Sequence, residues 1–183
     1  MNSSLKTTLV LLITVLPINA QTLPEAFQRL LGQTNMQFSI PPNFTTTPII
    51  DNGDVVYDFA VKSITTDLEI RYRIWPVDKT PKNPNGIFEG MLITMGLNIS
   101  NGKIIEPRRY PPESVKKEFG ADAGCTGLVP VDSQFGNGFQ SCMISVIHKD
   151  NVADAYVFYL YNDRDAIMQA LTTDKVYHAL RFK

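Results

Sequence analysis

Two alternations of apolar and polar positions dominate the middle of the chain. Val55, Tyr57, Phe59 and Val61 alternate with Val56, Asp58, Ala60 and Lys62. Further on, Leu68, Ile70, Tyr72 and Ile74 alternate with Asp67, Glu69, Arg71, Arg73 and Trp75. A period of two marks strands with one face in a core, and the short polar link at 63–66 predicts that the two pair as an antiparallel hairpin. A third run, AYVFYLY at 155–161, is apolar at both parities, which predicts a central strand covered on both sides. Runs at 125–131 and 141–148 read as two more strands around the glycine-bearing connection 132–140. Met36 to Ile40 is a short strand stopped by Pro41-Pro42, and 175–182 is a closing strand that includes His178.

Helical spacing appears elsewhere. Leu23, Phe27, Leu30 and Leu31 share one face and Gly32 follows them. Phe88, Met91 or Leu92, Met95 and Ile99 form a second stripe, ended by Asn101-Gly102. Pro111-Pro112-Glu113 opens a brief helix to Phe119, which Gly120 closes. Ile167, Met168 and Leu171 mark a helix over 163–171, with Asn162 or Asp163 as its N-cap. The prolines and charges of 76–86, and the segment 107–110, read as surface loops. Strands that arrive in hairpins, with helices inserted singly, predict an α+β domain: a twisted, mainly antiparallel sheet with helices packed on its faces.

The first twenty residues stand apart. A polar start with Lys6, an apolar run from Leu9 to Leu16 and the small residue Ala20 match a cleavable secretory signal. The run is shorter than the roughly 20 residues of a membrane-spanning helix. The expectation is a leader over 1–20 and a single domain over 21–183, secreted or periplasmic, with no integral membrane association. The 17 basic and 18 acidic residues nearly cancel. That balance argues against nucleic acid as a partner, because nucleic acid demands a cationic footprint.

An exported chain permits oxidation, so Cys125 and Cys142 are read first as a disulfide. Such a bridge would stabilise the fold by about 3 kcal/mol through the loop it closes. The other reading is two buried free thiols. No CxxC or HxxxH spacing accompanies them, and no metal or cofactor site is expected.

The most distinctive polar grouping is Glu69, Arg71, Arg73 and Trp75, carried with Asp67 on one side of a strand. It reads either as a ligand-binding surface, with guanidinium donors and a stacking indole, or as a solvent face held by cross-strand pairs. Either way Arg71→Ala would be nearly neutral for folding, whereas Ile70→Asp would bury an unpaired charge. His148, near Lys149-Asp150-Asn151, reads as a turn histidine. No G-x-S-x-G elbow supplies a nucleophile for it to activate. Asp163-Arg164-Asp165 lacks the glycine and distal glutamate of a calcium loop, and Asn137-Gly138 suits a tight turn. Two glycosylation sequons begin at Asn43 and Asn98.

FSIPPNF at 38–44, the hairpin ending in LEIRYRIWP, a helix, and a late apolar strand leading through Asn162-Asp163 to a final LRF together resemble small exported proteins of the Mog1/PsbP-like fold group. The order of elements also resembles exported bacterial proteins of unknown function. The resemblance implies an α+β sandwich that acts as a binding or accessory module. Fold likeness transfers little function by itself. The sequence therefore favours a non-enzymatic exported module that recognises a partner protein or small ligand. The alternative is a hydrolase with a dispersed acid/base site around His148 and Glu69, or His148 and Asp150, which would have to converge on one substrate atom.

Overall fold

The computed structural model describes residues 22–53, 55–76, 84–173 and 176–183, so the leader expected over 1–20 lies outside the described residues. In chain order the elements are α1 (Glu25–Gln33), β1 (Met36–Phe38), β2 (Phe44–Thr46), β3 (Phe59–Ser63), β4 (Leu68–Pro76), α2 (Pro84–Ile99), β5 (Arg108–Arg109), α3 (Pro112–Phe119), β6 (Ala123–Pro130), α4 (Ser133–Gly136), β7 (Ser141–Lys149), β8 (Ala153–Tyr161), α5 (Arg164–Thr173), a 3-10 turn (Val176–His178) and β9 (Leu180–Phe182). Seven strands form one sheet in the order β2-β3-β4-β8-β7-β6-β5. Every neighbouring pair in it is antiparallel. β1 and β9 pair separately, also antiparallel. The fold is α+β, with helices on both faces of the sheet.

The alternation of β4 assigns its side chains to two cores. Leu68, Ile70, Tyr72 and Ile74 join Val157, Tyr159 and Tyr161 of β8 in one core, closed by Phe27 and Leu31 of α1, Val115 and Phe119 of α3, and Ile167 of α5. On the opposite face Cys142, Ile144 and Val146 of β7 meet Tyr156, Phe158 and Leu160 of β8 beneath Phe88, Leu92, Met95 and Ile99 of α2. β8 lies between β4 and β7 and all nine of its residues are buried, as the doubly apolar run required.

The predicted hairpin is β3–β4, in the register Val61 to Ile70. Regular strand begins at Phe59 and not at Val55, because side chains organise the preceding backbone. Ile50 N donates to the Tyr57 hydroxyl at 2.7 Å and Val55 N to Asn52 Oδ1 at 3.1 Å. Such local bonds compete with a ladder. α2 begins at Pro84, inside what reads as a loop; the rest of that loop, 77–83, lies outside the described residues. Gly120 ends α3 at φ +62, the left-handed conformation that a C-cap glycine supplies. Strands β2 and β5 and helix α4 were not legible in the sequence, being two to four residues long. His178 lies in the 3-10 turn before β9 and not in a strand.

Two expectations are corrected here. Cys125 and Cys142 are free, buried thiols. They sit on adjacent strands, but Cys125 is opposite Val146 while Cys142 is opposite Val129. That offset of four residues along the ladder separates them by roughly 14 Å at 3.4 Å per residue, whereas a disulfide needs Cα atoms within about 7 Å. Second, the polar face of β4 is solvated only toward its ends, at Asp67, Arg73 and Trp75, and is closed in its middle. Arg71 is 1% exposed and Glu69 4%, because α4 and the segment around Tyr57 cover them.

Candidate functional site

Glu69 and Arg71 form a closed structure. Arg71 Nε donates to Glu69 Oε1 at 2.7 Å and Nη1 donates to the Phe135 carbonyl at 2.6 Å. The guanidinium lies between the rings of Tyr57, 4.9 Å away, and Phe135, 4.7 Å away. α4 is held in place by its N-cap, Asp132 Oδ1 accepting from Phe135 N at 2.8 Å. Arg73 bonds Asp58 at 2.8 Å and lies 5.8 Å from the ring of the half-exposed Trp75. Of the four residues expected to bind a ligand, two are thus sealed in the interior, one is paired, and Trp75 alone is open to solvent.

His148 is equally enclosed. Its Nδ1 lies 2.6 Å from Asp154 Oδ1 and its Nε2 2.9 Å from Asp150 Oδ1, with its ring stacked 5.0 Å from Phe88. Burial disfavours its charge, but hydrogen bonds and attraction from Asp154 and Asp150 outweigh burial and raise its pKa above the ordinary value. Both ring nitrogens are engaged, so the ring is clamped between two carboxylates with no nitrogen free for a substrate proton. Glu69 is not part of this group. Asp154 lies opposite both His148 and Trp75, six positions along β4 from Glu69, or roughly 20 Å at 3.4 Å per residue. The register does not bring the two together. Asp163 caps α5, its Oδ1 accepting from Asp165 N at 2.9 Å.

The candidate site lies elsewhere, where the sheet runs out from under α5. β6 and β7 present Thr126, Leu128 and Met143 on the face that carries α5. α5 anchors over β8 through the buried Ile167 and turns Met168 and Leu171 toward this open floor. The opposite wall is the segment leading into β5. Gly127 makes that wall possible, since a Cβ there would stand 2.5 Å from Ile105 Cγ1. The bare backbone lets Ile105 bury against it, and extended alternation then places Ile104, Glu106 and Arg108 along the groove. Arg109, at the other parity, turns away to pair with Glu89 on α2 at 2.6 Å.

The resulting groove has a volume of about 650 Å³, and Tyr161 and Arg164 complete its lining beside α5. Its lining includes three of the large apolar side chains the molecule leaves exposed: Ile104 at 82%, Leu128 at 58% and Met168 at 50%. Contiguous exposed apolar surface marks interaction sites, and the volume falls within the range of about 300–1,000 Å³ typical of small-molecule pockets. A second depression of about 710 Å³ lies on the far side of α5. There the polar groups already face one another. His178 Nε2 stands 2.9 Å from Glu118 Oε2, at ion-pair distance though outside hydrogen-bond geometry. The Gln37 amide, oriented with its oxygen toward Arg181, accepts from that guanidinium.

None of the groove residues stood out in the sequence as a site. Arg108 lies in the stretch 107–110 read as loop, Ile104 falls between that stretch and the second helical stripe, and Leu128 and Met143 are ordinary strand residues. The available signal was Leu128 and Met143, apolar side chains at the parity opposite to Cys125, Val129 and Cys142. Fold and groove together describe an α+β protein with an apolar cleft between sheet and helix. No protein-family model matches the chain, and no curated protein matches it.

Proposed function

We propose that the protein is an exported, non-enzymatic binding or accessory module that takes a small apolar-bodied ligand in the groove between α5 and the β6–β7 surface. One observation carries this reading: exposed Ile104, Leu128 and Met168, from three separate segments of the chain, converge on one open cleft. Exposed single apolar residues are ordinary, but their convergence on a concavity is not. The leader-like pattern of residues 1–20 and the resemblance to Mog1/PsbP-like proteins support export and an accessory role. Among the described residues no helix is long and apolar enough to cross a membrane.

The test is binding of the neutral, environment-sensitive fluorophore N-phenyl-1-naphthylamine. Native protein should enhance and blue-shift its emission. The double variant Leu128→Asp, Met168→Glu should bind about tenfold more weakly, equivalent to about 1.4 kcal/mol, with an unchanged circular dichroism spectrum because both side chains are exposed. Equal binding by the variant, or none by the native protein, would remove the groove as the site.

A further inference from the structure

We infer that the groove selects anionic amphiphiles, a single molecule with an aliphatic body and one carboxylate head, and that Arg108 and Arg164, the arginines of its lining, supply the attraction for the head. The inference rests on the reading of the groove as the binding site and adds the chemistry of its ligand.

The chain contains seven arginines, and five of them have partners. Arg29 pairs with Glu25, Arg71 with Glu69, Arg73 with Asp58 and Arg109 with Glu89. Arg181 donates to Gln37. The remaining two, Arg108 and Arg164, form no ion pair or hydrogen bond with a described residue, and both line the same groove. They come from distant parts of the sequence, one from β5 and one from the first turn of α5. Glu106 is the one carboxylate of the lining. The lining therefore carries a single net positive charge, which suits a monoanion and disfavours a polyanionic phosphate. An arginine fork meets a carboxylate with paired, charge-assisted bonds.

The body of the ligand follows from the rest of the lining. Met143 and Met168 are unbranched and adaptable, and with Leu128 and Leu171 they suit a flexible chain better than a rigid ring. Glu106 on one wall also sets the groove against an anionic bilayer, so the occupant is one free molecule.

Displacement of N-phenyl-1-naphthylamine by decanoate, decanol and decyltrimethylammonium tests this on the purified protein. Decanoate should displace the fluorophore at about tenfold lower concentration than decanol, the effect of one charge-assisted contact, and the cationic amphiphile should be weakest. In the double variant Arg108→Gln, Arg164→Gln the carboxylate and the alcohol should become equal, while binding of the neutral fluorophore stays unchanged. Both side chains are exposed and unpartnered among the described residues, so the melting temperature should hold. Parity of decanoate and decanol on native protein, or a carboxylate preference that survives in the variant, would overturn the inference and leave the groove intact as an apolar site. Absence of fluorophore binding would remove both. Co-sedimentation with phosphatidylglycerol vesicles that depends on the same two arginines would also overturn it, by making the occupant a membrane.

Discussion

Arg71 shows how far a side chain's environment can depart from its sequence pattern. In an alternating strand the polar parity normally faces water, yet here that parity faces a second core. Arg71 Nη2 is buried and has no hydrogen-bond partner among the described residues, so the guanidinium relies on Glu69, the Phe135 carbonyl and two aromatic faces. Breaking a buried pair by removing one partner typically costs about 3–5 kcal/mol, because the other charge is stranded. Arg71→Ala should therefore lower the unfolding free energy by about that much in urea titrations, contrary to the near-neutral effect a solvent face would give. Replacing both partners together, Glu69→Leu with Arg71→Met, should be less damaging than the single change. A double variant weaker than Arg71→Ala would show that the pair contributes more than burial of its parts.

At the scale of elements, the β7–β8 hairpin is closed by a side-chain clamp. His148 and Asp154 are cross-strand partners, and Asp150 reaches back from the turn between them. The groups facing the imidazole are these two carboxylates, the Phe88 ring and, through Asp154, the Tyr156 hydroxyl 3.5 Å from Oδ2. The folded-state pKa of His148 is raised above its unfolded value of about 6.5. Its contribution to stability is then fully present below that unfolded value and is lost as pH rises through the folded one. Unfolding free energy should decline as pH rises from about 6.5 through the raised folded value, and His148→Gln should flatten that decline. An equal slope in wild type and variant would show that the clamp does not hold a proton in the native state. Much of this level was legible. The hairpin β3–β4, the stripe of α2, the cap of α3 and the buried β8 all follow from periodicity, because a two- or 3.6-residue repeat is a local property. α4 was not legible, because a single turn of four residues is too short to show a period. Nor were β2 and β5, since each exists only where a neighbouring strand supplies its bonds. Thr47 N, for example, donates to Ala60 O across to β3 at 3.1 Å.

For the molecule as a whole, the register of the seven-stranded sheet decides the chemistry of its two thiols. Both face the core beneath α2, and burial raises their pKa values, that of Cys125 to about 12 with a smaller contribution from Glu89. A thiol in this state is a poor nucleophile. Ellman's reagent should leave the native protein unmodified and titrate both thiols only after denaturation, and the melting temperature should be the same with and without dithiothreitol. A reductant-dependent melt would mean that a bridge forms in a rearranged sheet. The groove is a feature of the same scale. It exists because α5 anchors over β8 and turns Met168 and Leu171 toward Leu128 and Met143 on the same face, and because Gly127 admits Ile105; neither fact has a local signature.

The amino-acid sequence by itself determined the strand and helix periodicities, the antiparallel hairpin, the doubly buried strand and the α+β class. Each depends on side chains a few positions apart on one stretch of backbone. Only the tertiary structure decided how β4 is covered on each face, where Cys125 stands relative to Cys142, what encloses His148, and which arginines have no partner among the described residues. Those outcomes depend on strand register and on what packs over each face, and both are set by contacts between residues far apart in the chain.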